Sequence, residues 1–151
     1  YISDANLTIS AGDDGIHASN ASVIDSGTIQ VTSSTEAIEG TNVTINGGSL
    51  DLYATDDGIN ASSDVTGAEI FIKVTGGDIK LEVGQGDTDA LDSNGDLIVS
   101  GGSLDITAQF AFDFDGTAEY SGGNLTVNGE TVTEITNSMM MGGGGGRPSG
   151  R

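Results

Sequence analysis

A six-residue phrase recurs along the chain: Asp13-Asp14-Gly15-Ile16-His17-Ala18, Thr35-Glu36-Ala37-Ile38-Glu39-Gly40, Asp56-Asp57-Gly58-Ile59-Asn60-Ala61 and Thr88-Asp89-Ala90-Leu91-Asp92-Ser93. A weaker fifth copy, Gln109-Phe110-Ala111-Phe112-Asp113-Phe114, follows. Each of the first four sets an acid, a small residue, an aliphatic and a polar or charged position in one order. Repetition at a period of roughly 21 residues restricts the fold to stacked units, because one unit of that size cannot bury its own apolar face.

The remainder of each unit repeats as well. A pair of small residues recurs at Ser26-Gly27, Gly47-Gly48, Gly76-Gly77, Gly101-Gly102 and Gly122-Gly123. An alternating apolar run follows each pair: Ile29/Val31, Leu50/Leu52/Ala54, Ile79/Leu81/Val83, Leu104/Ile106/Ala108 and Leu125/Val127. A second run of the same parity precedes each pair, at Val43/Ile45, Ile72/Val74, Leu97/Val99 and Ala118/Tyr120, with Ile24 a poorer match before the first. Period-two alternation is the mark of a half-buried strand. With the phrase as a third strand, these runs predict an all-β, right-handed parallel β-helix of about six coils. The leucine-rich-repeat spacing and the Gly-Gly-x-Gly-x-Asp signature of the calcium β-roll are both absent.

Ser62 to Glu69 and Gly84 to Asp87 read as loop insertions at coil corners. Asn128-Gly129 predicts a type I′ hairpin that caps the last coil. The domain reading is therefore a β-helix with terminal hairpin over 1–138 and a Met/Gly-rich tail over 139–151.

Charge is lopsided, with 23 acids against four bases and a formal net charge of −19. Such a surface is a poor partner for nucleic acid or anionic membrane, and no membrane-inserting span is present. The chain opens at Tyr1 and enters a strand almost at once, which reads as a mature or trimmed product or as an open solenoid edge.

Coils of a β-helix lie about 4.8 Å apart, so repeated residues stack. One column runs Asp14, Glu36, Asp57, Asp89. A second runs His17, Glu39, Asn60, Asp92, Asp113, and a third, at the corner, holds Asp13, Thr35, Asp56 and Thr88. Carboxylates at that spacing repel by about 1 kcal/mol in water and about 3–4 kcal/mol at an effective dielectric near 20. No Lys or Arg lies beside them in the repeat, so a bound cation is the simplest counter-charge. Oxygen donors, no cysteine and one histidine point to calcium. Asp13, Asp14, Glu36, Glu39, Asp56, Asp57, Asp89, Asp92 and Asp113 are the candidate ligands. Phe110 replaces the acid in the fifth coil and should end the first column.

No nucleophilic triad can be built around His17, which reads as a spectator or a minor ligand. Carboxylate pairs for glycoside hydrolysis exist in excess, placed by the repeat rather than for one reaction. Lys80 aligns with Asp51 and Asp105 and reads as a cross-coil ion pair. Lys73 aligns with Thr44 and Ile98 and has no fixed partner. No catalytic residue is assigned, and pectate-lyase-like activity is the main enzymatic alternative.

The phrases at Asp13–Ala18 and Asp56–Ala61, with Asn42–Gly48 and Asp96–Gly102, resemble those of a known family. It is the clostridial-type carbohydrate-binding domain-containing family of right-handed parallel β-helices. Val127-Asn128-Gly129-Glu130 and the Met/Gly-rich tail are similar too, so the resemblance covers nearly the whole chain. It implies a secreted or surface-exposed bacterial protein that binds calcium and an acidic polysaccharide such as polygalacturonate. It also implies calcium ligands at Asp13, Asp14, Asp56 and Asp57, with Glu36, Asp89 and Asp92 as aligned substitutes. The alternative is a structural protein in which copies stack end to end into a calcium-stabilised extracellular filament.

Overall fold

The computed structural model describes residues 1–138. The tail expected over 139–151 lies outside them. The chain climbs through stacked coils with no helix among the described residues. β1 (Ala5–Ser10) opens the first coil; β2 (Ile16–Ile24) and β3 (Gly27–Ser33) form the second. β4 (Ile38–Ile45) and β5 (Ser49–Ala54) follow, then β6 (Ile59–Ala61), β7 (Phe71–Val74) and β8 (Asp78–Val83). β9 (Asp89–Ser93), β10 (Asp96–Thr107), β11 (Phe110–Phe114), β12 (Ala118–Val127) and β13 (Glu130–Thr131) complete it. This is a parallel β-solenoid of about six turns, as the repeat predicts.

Three parallel ladders run along the stack. The phrases pair as β2-β4-β6-β9-β11, with Ile16, Ile38, Ile59, Leu91 and Phe112 in one register. The runs before the small pairs stack as Val43, Ile72, Leu97 and Ala118. The runs after them stack as Leu7, Ile29, Leu50, Ile79, Leu104 and Leu125. The inward members form one narrow core, and Ile38, Ile45, Ile59, Ile72, Leu91 and Leu97 are each 0% exposed. Burying one such side chain stabilises by about 1.5–3 kcal/mol, so each coil brings its own share of driving force. Ile16 is only half-buried.

Separate short strands were expected for each run, and several are continuous instead. β2 and β4 carry the phrase into the following run, and β10 and β12 continue through their glycine pair into the next. The backbone still turns there, with register slips between Ala18 and Ala21 and between Ser100 and Ser103. Hydrogen bonding persists around the bend, so the strand does not break.

The two glycines of a pair do different work. At Gly76 and Gly101 a Cβ would sit 2.4 and 2.3 Å from a carbonyl oxygen of the preceding coil. At Gly77 and Gly102 the φ angles are +95 and +84, a region costly to residues with a Cβ. The insertion between β6 and β7 carries no strand, and the side-chain amide of Asn42 donates to the Glu69 carbonyl. At the far end β12 and β13 pair antiparallel, with Asn128 and Gly129 both at positive φ as a type I′ turn requires. The chain then returns to the outer edge of β11. The Ser138 amide donates to the Phe112 carbonyl at 2.8 Å, and its Oγ accepts from the Ala111 and Phe112 amides.

Candidate functional site

Strict alternation would bury Asp14 and its equivalents, since they share the parity of Ile16 and its equivalents. The corner removes that conflict. Ala37 and Ile38, Gly58 and Ile59, and Ala90 and Leu91 are buried as consecutive pairs, which shifts the preceding acid out to the surface. The position holds Gly or Ala because little else fits. A Cβ at Gly58 would meet the Ala90 carbonyl oxygen at 2.5 Å and Leu81 at 2.7 Å. Glu36, Asp57 and Asp89 are thereby half-buried, beside the outward column of His17, Glu39, Asn60, Asp92 and Asp113, and Asp14 is half-buried ahead of a half-buried Gly15-Ile16 pair.

Two groups of three donors form where the columns meet. Asp57, Asp89 and Asp92 each offer a carboxylate oxygen, all within 4.8 Å of one another. At the other end of the ladder the carboxylates of Asp14 and Glu39 and a ring nitrogen of His17 bring three donor atoms equally close. Between them the Asn60 side-chain amide donates to Glu36 Oε1 at 2.9 Å. The Asp89 amide donates to Asp57 Oδ1 at 2.8 Å, which fixes that carboxylate across the coil step. Phe110 stands in register with Asp89 and ends the first column, whereas Asp113 continues the second beside Asp92. Asp13 and Asp56 form the exposed rim of the corner, linked through Thr35 by backbone hydrogen bonds, and belong to neither group of three.

Electrostatics separate the two groups. Burial, then the charges of Asp113 and Asp57, push Asp89 from its ordinary 3.8 up to about 6. Burial, then Asp57, push Asp92 up to about 7. Burial raises Asp57, Glu36 and Glu39 as well, with neighbouring carboxylates adding to it. No basic side chain relieves the Asp57 group among the described residues. The other group includes a base, His17, which is a counter-charge when protonated. His17 Nδ1 bonds Glu39 Oε2 and lies 3.3 Å from Asp14 Oδ2, and the Glu39 contact raises the imidazole pKa. A protonated His17 is a built-in cation at that end.

His17 is the residue that sequence reasoning undervalued. Its spacing of three from Asp14 and its place above Glu39 were both readable; that one ring nitrogen faces both carboxylates needed coordinates. Lys80 is corrected in the other direction. It stands in register between Asp51 and Asp105, but closes no ion pair within 4.0 Å of either among the described residues. All three side chains are exposed, so water competes for each head group.

No helix among the described residues is long and apolar enough to cross a membrane. No curated protein and no solved structure matches the chain. A family profile described as carbohydrate-binding domain-containing protein matches residues 4–141. Its description names binding rather than a reaction and supports a carbohydrate partner in general. The match runs through every coil that carries the acid columns, and the chain belongs to this carbohydrate-binding domain-containing family.

Proposed function

We propose that the chain is an extracellular calcium-holding β-helix that binds an acidic polysaccharide and acts as a non-catalytic module. The observation that carries the reading is the Asp57, Asp89 and Asp92 group, three carboxylates within 4.8 Å with no basic partner among the described residues. Oxygen-only donors suit a hard cation, and calcium accepts their loose geometry together with water more readily than magnesium does. Asp57, Asp89 and Asp92 would hold the ion, with Asp113 adding negative potential. Asp14 and Glu39 form the weaker site, since the His17 ring nitrogen already contacts both carboxylates.

Bound calcium supplies charge neutralisation at the corner and open coordination positions for carboxylates of the polymer. A cation held there would let a chain of net charge −19 meet a polyanion.

The test is retention on immobilised polygalacturonate with calcium and with excess chelator. Retention should require calcium and fall sharply in Asp89→Asn/Asp92→Asn. Undiminished binding in chelator would sink the proposal. Calcium-dependent growth in sedimentation without glycan retention would favour end-to-end assembly instead. Release of unsaturated uronate, read by ultraviolet absorbance, would favour a lyase.

A further inference from the structure

We infer that the acidic sugar sits on the outer face of β4, β7 and β10, in a subsite built from Phe71 and Lys73. This rests on the polysaccharide-binding reading above and adds to it a sugar contact apart from the corner acids. β7 alternates sharply: Ile72 and Val74 are buried, while Phe71 and Lys73 point outward, Phe71 half-buried and Lys73 exposed. Residues two apart on one strand project from the same face, roughly 7 Å apart. An aromatic ring and an ammonium thus stand side by side.

The surroundings single out Lys73 from Lys80. The register neighbours of Lys80 are Asp51 and Asp105, so an anion arriving there meets two carboxylates. Those of Lys73 are Thr44 and Ile98, a hydroxyl and a half-buried aliphatic. Val23, in register with Thr44, extends the uncharged strip by one more coil. The nearest acid on the face in register is Asp96, beside Phe71, and its Oδ1 is engaged by the amide and hydroxyl of Thr117 at 2.8 and 2.9 Å. Glu119 follows Ile98 one coil further on. Lys73 therefore has no carboxylate among its direct register neighbours, unlike Lys80.

The insertion before β7 fixes this patch. Asn42 holds the Glu69 carbonyl, the Asp96 amide donates to the Ile70 carbonyl at 3.0 Å, and a Cβ at Gly95 would lie 1.9 Å from that same oxygen. Phe71 follows directly and has little freedom to shift. A pyranose ring offers an apolar C–H face and, in a uronate, a carboxylate at its edge. The ring packs on Phe71 while Lys73 takes the carboxylate in a charge-assisted hydrogen bond. A neutral sugar would use the first contact and lose the second.

The experiment compares polygalacturonate with its fully methyl-esterified form, at fixed calcium, by affinity electrophoresis and calorimetry. Lys73→Gln should weaken polygalacturonate binding by about tenfold, the size of one charge-assisted contact, and leave the esterified polymer unaffected. Phe71→Leu, which keeps apolar packing, should weaken both polymers. Lys80→Gln should change neither. Thermal melting of each variant confirms an intact fold. If the wild type holds polygalacturonate and Lys73→Gln and Phe71→Leu bind it as well, the subsite is overturned while the calcium reading stands. If the wild type binds no acidic polymer, both fall together.

Discussion

Asp92 shows at residue scale how a repeat shifts the titration of its own acids. One carboxylate per coil is harmless; three meeting at a half-buried corner hold Asp89 near 6 and Asp92 near 7. Both values are raised above 3.8, so in the metal-free protein the folded state binds protons more tightly than the unfolded chain does. The stability from this source is complete below about pH 4 and is lost as pH rises through about 6 to 7. Thermal melts in chelator should therefore give a falling Tm from pH 4.5 to 8, and saturating calcium should flatten that slope. Asp92→Asn should stabilise the chelated protein by about 1 kcal/mol, a figure discounted for solvent screening at a half-buried site. The same variant should reduce the Tm gain that calcium gives to the wild type. An equal gain in both proteins would remove Asp92 from the cation site.

At the scale of elements, the corner and the last coil depend on different physics. The corner works because Gly or Ala lets one coil rest on the next. Gly58→Ala drives a methyl into the Ala90 carbonyl and Leu81, and should cost about 1–3 kcal/mol. Urea denaturation measures it, and an unchanged midpoint would show that the coils can separate slightly without penalty. The last coil is closed by hydrogen bonds instead. Ser138→Ala takes the Oγ acceptor from the Ala111 and Phe112 amides on β11, and should cost about 1–3 kcal/mol. Hydrogen exchange should show faster loss at Ala111 and Phe112 than at Ile59, whose strand is covered on both sides by β4 and β9. The Asn128-Gly129 hairpin was legible beforehand because type I′ turns demand a particular residue pair. The return of Asn137 and Ser138 was not, since neither carries a local signal.

Across the whole molecule, net charge and solenoid geometry act together. A formal net charge of −19 on the chain opposes compaction through self-repulsion. Raising NaCl from about 0.01 to about 0.15 M shortens the screening length from about 30 to about 8 Å. The chelated protein should melt higher as a result. With calcium bound, the same salt change should have a smaller effect, because the strongest local repulsion is already neutralised. An equal salt response in both states would mean that the corner acids contribute little to the total.

Much of this protein was determined by its sequence, because a β-helix converts linear period into spatial stacking. Ile38, Ile59 and Leu91 share a phrase position and therefore share a register, and the same rule aligned Glu39, Asn60, Asp92 and Asp113. Coil number, core composition and the end of the first acid column at Phe110 all followed from counting. What tertiary structure alone decided were the distances across columns and the direction of each head group. Only the double burial at the corner turned Glu36, Asp57 and Asp89 outward, joined Asp57 and Asp89 to Asp92, and left Asp56 on the rim. Only side-chain placement set His17 against Asp14 and Glu39 and kept Lys80 from closing on its aligned acids. Backbone hydrogen bonding sets the spacing along a column, which a sequence period reveals. Packing at the corner sets the spacing between columns, and it depends on which neighbouring groups physically fit.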